Sequence, residues 1–302
     1  MTEQKIDLKS WLLLILLSFI WGGSFFFMGI AVKELPALLI VFARVGIAAL
    51  ILIPIHLVTQ GSLPRDRKTW VACGGMALLN NILPFTAIAW GVHYIDSGLA
   101  SVVNATTPMF AALFMAMFQL ERLILRKAIA LALGLVGVII LKGGNFGDLS
   151  LQSLGIFAVT FASCCYGLSV AWSKTRLMGI PPMTTATCQL TVSAIVMGIL
   201  AFGFSTPSLY FAASAATWAA LIAIATLSTV VAYLIFFRLI NSNGPSFTSL
   251  VTMLVPVSAV FLGITFLREP FGVNEIIGAA IIGLALVMID GRALKRFQLS
   301  AA

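Results

Sequence analysis

Long apolar runs separated by short polar segments dominate the chain. Ten runs can be marked, near residues 11–31, 36–59, 69–92, 96–118, 124–141, 152–173, 182–203, 214–239, 245–267 and 272–290. A helix of about 20 residues crosses a hydrocarbon core of about 30 Å. The runs are about twice as long as membrane strands and do not alternate, which excludes a β-barrel. The pattern predicts an all-α integral membrane protein with ten transmembrane helices.

The composition excludes a water-soluble fold. The chain has 302 residues, of which 61% are hydrophobic and 9% are charged. Soluble domains have about 45–50% apolar and about 25% charged residues. Much of the surface must therefore face the lipid bilayer. The net charge of +8 does not predict a nucleic-acid partner, because the basic residues lie in short segments between apolar runs.

The distribution of basic residues predicts the orientation in the membrane. With the N-terminus in the cytoplasm, most of the 18 lysines and arginines fall on the cytoplasmic side. Only Lys33, Lys142 and Arg268 fall on the opposite side, and Arg44 lies inside a run. The positive-inside rule then places both termini in the cytoplasm. No small-x-small cleavage motif follows the first run, so we expect it to be retained as a span.

The chain matches itself at an offset of about 145 to 149 residues. The matching residues are Trp21-Gly22-x-Ser24 with Tyr166-Gly167-x-Ser169, Pro36 with Pro181, Pro108 with Pro256, and Glu121 with Glu269. This predicts two five-helix domains, residues 1–145 and residues 146–302. Because five is odd, the second enters the membrane inverted, and such halves can open one central site alternately to either side. The repeat therefore predicts a secondary transporter.

Several short motifs in order resemble an EamA-type member of the drug/metabolite transporter superfamily. They are Trp21-Gly22-Gly23-Ser24-Phe25, Arg44, Pro108, Glu121, Pro256, Arg268-Glu269-Pro270 and a glycine-rich stretch over 278–283. The second half departs from the first at Tyr166-Gly167 and at Gln189, which occupies the position of Arg44. The resemblance implies an inner-membrane exporter of amino acids and related metabolites. The chain is similar to broad-range exporters of aromatic and other neutral amino acids.

The resemblance also implies a cavity near the bilayer midplane, lined by the first, third, fourth, sixth, eighth and ninth spans. The candidate lining residues in those spans are Trp21, Asn80, Asn81, Asn104, Thr107, Tyr166, Tyr233 and Met253. Uncharged hydrogen-bonding groups beside bulky apolar walls suit a zwitterion with an apolar side chain. The asparagines are the strongest candidates, because an amide in hydrocarbon is costly unless it is paired or faces a wet cavity.

Two prolines and one arginine have further candidate roles. Pro108 and Pro256 are candidate hinges, because each removes a backbone hydrogen bond and frees the carbonyl four residues earlier, at Asn104 and Thr252. Arg44 is the charged residue that lies clearly inside a span. Two roles stay open for it, contact with a substrate carboxylate and structural pairing within the scaffold.

The sequence leaves the energy source and the substrate open. A nucleotide-binding GxxxxGK[ST] motif is missing, so gradients must drive transport, by facilitated diffusion or by proton exchange. Acidic residues map to the ends of spans, which argues against cationic drugs as the main substrate. Another small metabolite, such as a nucleotide sugar or a sugar phosphate, is the alternative, although its charges would call for several basic residues in the cavity.

An intramembrane enzyme is a remote alternative. Gly22-Gly23-Ser24 or Gly167-x-Ser169 could be imagined as part of a serine-protease site, but no histidine is placed at membrane depth to activate either serine. The four cysteines have no metal-binding CxxC spacing. We therefore expect no catalytic residues, no metal and no cofactor, and a small molecule as the binding partner. The oligomeric state stays open.

Overall fold

The computed structural model describes residues 7–141 and 150–290. These residues form ten main helices and one short helix, Leu209–Ala212, and contain no strand. The main helices are α1 Leu8–Ala31, α2 Ala37–Thr59, α3 Arg67–Gly91, α4 Ser97–Met117, α5 Leu125–Leu141, α6 Leu151–Arg176, α7 Pro182–Phe204, α8 Ala215–Gly244, α9 Val251–Leu267 and α10 Val273–Asp290. The predicted all-helical fold is confirmed over these ranges.

Eight of these helices are long and apolar enough to cross a membrane. The helices α5, with 17 residues, and α9 are shorter. Large apolar side chains lie exposed along the spans, as at Leu50 in α2 and Ile199 in α7. Exposed apolar surface of this extent is suited to lipid. The protein is therefore a multi-pass membrane protein.

The helix starts follow from local polar residues and prolines. Asp7, Asp66, Ser150 and Ser214 each cap a helix by accepting a hydrogen bond from the backbone N–H three residues later. Such caps satisfy amides that have no partner inside the helix. Pro36 and Pro181, which match in the sequence repeat, stand directly before α2 and α7. Each fixes an extended backbone where the chain re-enters the helical state.

The end of α8 differs from the prediction. The apolar run was expected to end near residue 239, but α8 continues to Gly244. Residues 245–248 are helical beyond the kink at Gly244, so a new helical segment does begin at 245 as predicted. A turn at residues 249–250 then separates this segment from α9. Polar residues such as Asn241 and Ser242 extend the helix rather than end it. The break comes at Gly244, whose φ of 79° is readily adopted by glycine.

The helices pack in matching pairs. The helix α1 packs against α8 and α9, while α6 packs against α3 and α4; α2 packs along α7, and α5 along α10. Glycines allow the closest approaches. A Cβ on Gly22 would lie 2.8 Å from the backbone nitrogen of Ala259, and a Cβ on Gly167 would lie 2.7 Å from that of Ala111. Only a residue without a side chain fits at these two crossings.

Some predictions fall outside the described residues. The predicted boundary between residues 145 and 146 lies there. Five basic residues that were counted in the orientation prediction also lie there, namely Lys5, Lys142, Arg292, Lys295 and Arg296.

Candidate binding cavity

A cavity of about 840 Å³ lies between the packed helices. Side chains from α1, α2, α3, α4, α6, α7, α8 and α9 line it. It extends from buried Met28 and Ser101 to exposed Lys174 and Met178, near the end of α6. The cavity thus has a closed end inside the helix bundle and an open end at the face where α6 and α8 finish.

Glu269 connects two helical segments beyond the closed end of the cavity. Its carboxylate accepts hydrogen bonds from the backbone N–H groups of Ser97 and Gly98, both at 2.9 Å. The contact joins the segment after α9 to the first turn of α4. Carboxylates stabilise the start of a helix because the N–H groups there lack partners within the helix. The contact therefore lies one helical turn from Ser101, beyond the closed end of the cavity.

Glu121, which matches Glu269 in the sequence repeat, makes different contacts at the opposite face. It forms an ion pair with Lys127, with Oε2 2.8 Å from Nζ, and a longer one with Lys174, with Oε1 3.8 Å from Nζ. The hydrogen bond from Lys127 lowers the pKa of Glu121 below its usual value. The open end of the cavity is thus bordered by an ion pair.

Arg44 is a buried cation that faces the cavity. Its Nε donates to Oγ1 of Thr229 at 3.2 Å, and its guanidinium carbon lies 3.6 Å from the ring centroid of Phe85. Among the described lining residues, Arg44 and Lys174 carry charge and both are basic. The described ion pairs do not include Arg44. Its charge is therefore available to an anionic group in the cavity.

Gln189, at the repeat position of Arg44, also lines the cavity. Its Nε2 donates to the hydroxyl of Tyr233 at 3.4 Å. Its Oε1 is buried without a hydrogen-bond partner among the described residues. Since α2 packs along α7, the two positions that match in the sequence repeat line one cavity, one with a cation and the other with a neutral amide.

Two π-helical segments lie beside the cavity, Leu78–Ile82 in α3 and Thr226–Val231 in α8. Asn80 and Ser228, which are separated by the offset of the sequence repeat, line the cavity from these segments. A π-helical turn leaves backbone groups less regularly paired and often marks a functional site. The same feature thus recurs on one helix of each half.

Most residues predicted for the site lie together in this cavity. The predicted residues that line it are Trp21, Arg44, Asn80, Asn104, Thr107, Pro108, Tyr166, Tyr233 and Pro256. The six predicted helices contribute to the lining, and α2 and α7 are added to them.

Asn81 and Met253 are not among the lining residues. Asn81 is fully buried and its Nδ2 donates to Oγ of Ser193 at 3.1 Å, so its amide is satisfied by α7. Met253 packs against the apolar core. The structure therefore places both residues in the helix packing around the cavity rather than in its wall.

The two prolines occupy different local structures. The helix α4 is interrupted at Ala105 and Thr106, directly before the segment that contains Pro108. The carbonyl of Asn104 accepts from the hydroxyl of Thr107 at 2.8 Å, so its freed acceptor is used within α4. Pro256 instead lies inside the continuous segment Val251–Leu262. The break that precedes Pro108 has no counterpart directly before Pro256.

Three aromatic residues of the cavity wall were not predicted from the sequence. Phe236 and Phe237 line it from α8, and Phe25 lines it from α1. The ring of Phe236 packs 5.3 Å from Trp21, and that of Phe237 packs 5.9 Å from Tyr233, between centroids. The signal was present in the sequence, because residues three and four positions after Tyr233 share its helix face.

The sequence is similar to those of known membrane transporters. Residues 8–142 and 153–290 each match the profile of the EamA-like transporter family. The uncharacterized transporter YoaV of Bacillus subtilis strain 168 is 26% identical over 277 residues, covering 91% of this chain and 94% of YoaV. The uncharacterized inner membrane transporter YedA of Escherichia coli K12 is 25% identical over 273 residues, covering 89% and 87%. These names point to a transporter rather than an enzyme.

The fold also has a counterpart among solved structures. One crystal structure aligns with a TM-score of 0.66 and covers 96% of this chain and 98% of the other. The two sequences are 17% identical over the alignment. The likeness supports the fold of the whole chain.

Proposed function

The chain belongs to the EamA-like transporter family, and from this premise we propose that it is a secondary transporter that exports neutral amino acids, including aromatic ones, and related metabolites. Export would proceed by alternating access between two inverted five-helix halves. The observation that carries the proposal is the buried cation Arg44, which faces a cavity walled by aromatic residues and lacks an acidic partner in the described chain.

The helix pairing supports the inverted repeat. The contacts of α1 with α8 and α9 correspond to those of α6 with α3 and α4 once the halves are exchanged. Gly22 and Gly167 stand at equivalent crossings, and the π-helical segments fall at equivalent positions of α3 and α8. Halves that pack alike can exchange conformations, which is the basis of alternating access.

The two ends of the cavity support an inward-open state. Basic residues Lys174, Arg176 and Arg238 lie near its open end, and the positive-inside rule assigns that face to the cytoplasm. Glu269 and the start of α4 close the other end. A solute entering from the cytoplasm would then be released after this closure opens and the cytoplasmic mouth closes.

The chemistry of the wall supports the substrate class. A guanidinium binds a carboxylate through several charge-assisted hydrogen bonds. The wall around Arg44 includes Trp21, Tyr166 and Phe236, which offer large apolar faces to a side chain. One carboxylate and one apolar or aromatic side chain therefore match the two parts of the cavity.

A small anionic metabolite, such as a sugar phosphate or a nucleotide sugar, is the second candidate. The observation that favours it is that both charged lining residues are basic. However, Lys174 lies at the mouth and contacts Glu121, which leaves Arg44 as the one deep cation among the described residues. A single deep charge suits one carboxylate better than several phosphate charges.

Uptake into liposomes tests the proposal. Purified protein is reconstituted, and uptake of radiolabelled phenylalanine, methionine, threonine, lysine and glucose 6-phosphate is followed with and without an imposed pH gradient. We expect saturable uptake of the neutral amino acids and little uptake of lysine. A dependence on the gradient would establish proton exchange. Uptake of glucose 6-phosphate alone, or of none of these solutes by folded protein, would overturn the amino-acid proposal.

A further inference from the structure

We propose that Gln189, together with the hydroxyl of Tyr233, binds the α-ammonium group of a substrate whose carboxylate is bound by Arg44. The inference rests on the proposed function and makes it more specific. Arg44 and Gln189 would form a two-part site for the head group of an amino acid, one part from each half of the protein. The cavity would then select zwitterions over plain organic acids.

The position of Gln189 supports this assignment. The repeat relates it to Arg44, and both residues line the same cavity from helices that pack against each other. A perfectly symmetric protein would place a cation at both positions. An amino-acid head group has a negative and a positive end, so a cation at one position and a neutral acceptor at the other match it better than two cations would.

The side-chain oxygen of Gln189 also supports the assignment. The residue is 4% exposed, and its Oε1 has no hydrogen-bond partner among the described residues. Its Nε2 is already engaged with Tyr233 at 3.4 Å. A buried amide oxygen without a partner is costly, and such atoms in native proteins call for an explanation. An ammonium donor in the cavity would supply the missing hydrogen bond.

The rest of the cavity wall has no acidic partner for an ammonium group among the described lining residues. The described lining residues include no Asp or Glu, so an ammonium group must be met by neutral oxygens and aromatic faces. The Tyr233 hydroxyl lies beside both Gln189 and Asn80. Tyr166 and Trp21 add ring faces that attract a cation. Gln189 Oε1 and the Tyr233 hydroxyl are thus neutral oxygens in the cavity wall that can accept hydrogen bonds from a buried ammonium group.

A substrate that lacks the ammonium would leave Gln189 unpaired. Sites built to hydrogen-bond a substrate group discriminate strongly against analogues without that group. We therefore expect phenylalanine to compete for the cavity better than 3-phenylpropionate, which has the same ring and carboxylate but no ammonium. N-acetylphenylalanine, which has no positive charge and a bulkier nitrogen, should compete as weakly as 3-phenylpropionate.

The test measures competition by these three compounds against radiolabelled phenylalanine in proteoliposomes of the full chain. The variant Gln189→Leu removes both amide atoms at nearly constant volume. We expect this variant to weaken the apparent affinity for phenylalanine by roughly tenfold and to leave the apparent affinity for 3-phenylpropionate nearly unchanged. The control is Thr191→Val on the same helix, whose hydroxyl donates to the carbonyl of Thr187 within α7. It should preserve the wild-type ratio between the two compounds.

The ratio separates recognition from folding. Loss of affinity for both compounds by the same factor in Gln189→Leu would overturn the inference, because a merely structural role does not distinguish them. Equal competition by phenylalanine and 3-phenylpropionate in the wild type would also overturn it, while leaving the proposed transport of carboxylates intact. Absence of any phenylalanine uptake in the wild type would instead contradict the proposed function itself.

Discussion

The guanidinium of Arg44 lies 3.6 Å from the centre of the Phe85 ring, so α2 and α3 meet at a cation held over an aromatic face. Such stacking is favourable and fixes the plane of the guanidinium. The arginine is thereby oriented before any solute arrives. A binding group that is already oriented loses less entropy when it engages its ligand.

The variant Arg44→Lys should transport phenylalanine with an apparent affinity lower by roughly ten- to hundredfold, because hydrogen bonds to charged groups contribute about 1.5–3 kcal/mol. Lysine keeps the charge but loses the planar set of donors and the stacking on Phe85. The Michaelis constant of uptake measures the change. Arg122→Lys, in the exposed segment after α4, is the matched control. An unchanged Michaelis constant of uptake in Arg44→Lys would show that Arg44 has only a structural role.

Trp21→Ala and Asn104→Ala should reduce transport while the protein remains folded, because both side chains line the cavity. For Trp21 we expect a two- to tenfold loss of apparent affinity, in line with about 0.5–1.5 kcal/mol for an aromatic contact. Asn81→Ala should instead lower the melting temperature, because it removes the hydrogen bond to Ser193. Normal uptake by both cavity variants would remove the site assignment.

The variant Glu269→Gln should favour opening of the end sealed by Ser97 and Gly98. The amide loses the charge that strengthens the two hydrogen bonds to the start of α4. The reporter is Ser101→Cys, inside the closed end, in a background without the four native cysteines. Its reaction with a membrane-impermeant maleimide reports opening. We expect faster labelling from the outer face.

Glu275→Gln, in the first turn of α10, is the control for Glu269→Gln. It removes a nearby acidic charge without touching the two hydrogen bonds. If the reporter thiol reacts at the same rate in Glu269→Gln, in Glu275→Gln and in the unaltered background, the contact of Glu269 with Ser97 and Gly98 does not keep the outer end closed.

Gly22→Ala and Gly167→Ala should each destabilise the protein by about 1–3 kcal/mol, the usual cost of overpacking a tight interface. Each added methyl group would meet backbone atoms of the facing helix. Thermal unfolding in detergent, followed by size-exclusion chromatography, measures the loss. Gly203→Ala in α7 is the control, since a Cβ there meets no atom within 4 Å. Unchanged melting of both variants would contradict the close crossings.

Glu121 should contribute to stability but not to proton coupling near neutral pH. The hydrogen bond from Lys127 lowers its pKa below the usual 4.5, so the ion pair is intact above that value. Its stabilisation is lost only as the pH falls through the lowered pKa. Glu121→Gln should therefore lower stability by at most about 1 kcal/mol. It should leave the pH profile of uptake between pH 6 and pH 8 unchanged; an altered profile would implicate Glu121 in coupling.

The fold was largely predictable because lipid imposes both the length and the apolar character of a span. The caps and prolines at the helix starts are also visible in the sequence. The end of α8 was not, because polar residues at a membrane boundary can still continue a helix. Only the backbone conformation of Gly244 ends it.

The site was predictable where the repeat singled residues out, as for Trp21 and Tyr166. It was not predictable which of Asn80 and Asn81 faces the cavity. Adjacent residues of a helix point about 100° apart, and the π-helical segment changes the local register. Gln189 was not predicted as a cavity residue, because the resemblance assigned the cavity to six other helices. The pairing of α2 with α7 brings it beside Tyr233.

Counterflow in proteoliposomes distinguishes a carrier with alternating access from a channel. Vesicles loaded with unlabelled phenylalanine are diluted into a trace of radiolabelled phenylalanine, and accumulation of label is compared between wild type and Arg44→Met. We expect transient accumulation above the equilibrium level in the wild type, because a carrier exchanges solute across alternating states, and strongly reduced accumulation in Arg44→Met. Absence of accumulation by folded wild-type protein, or full accumulation by Arg44→Met, would contradict the proposed function.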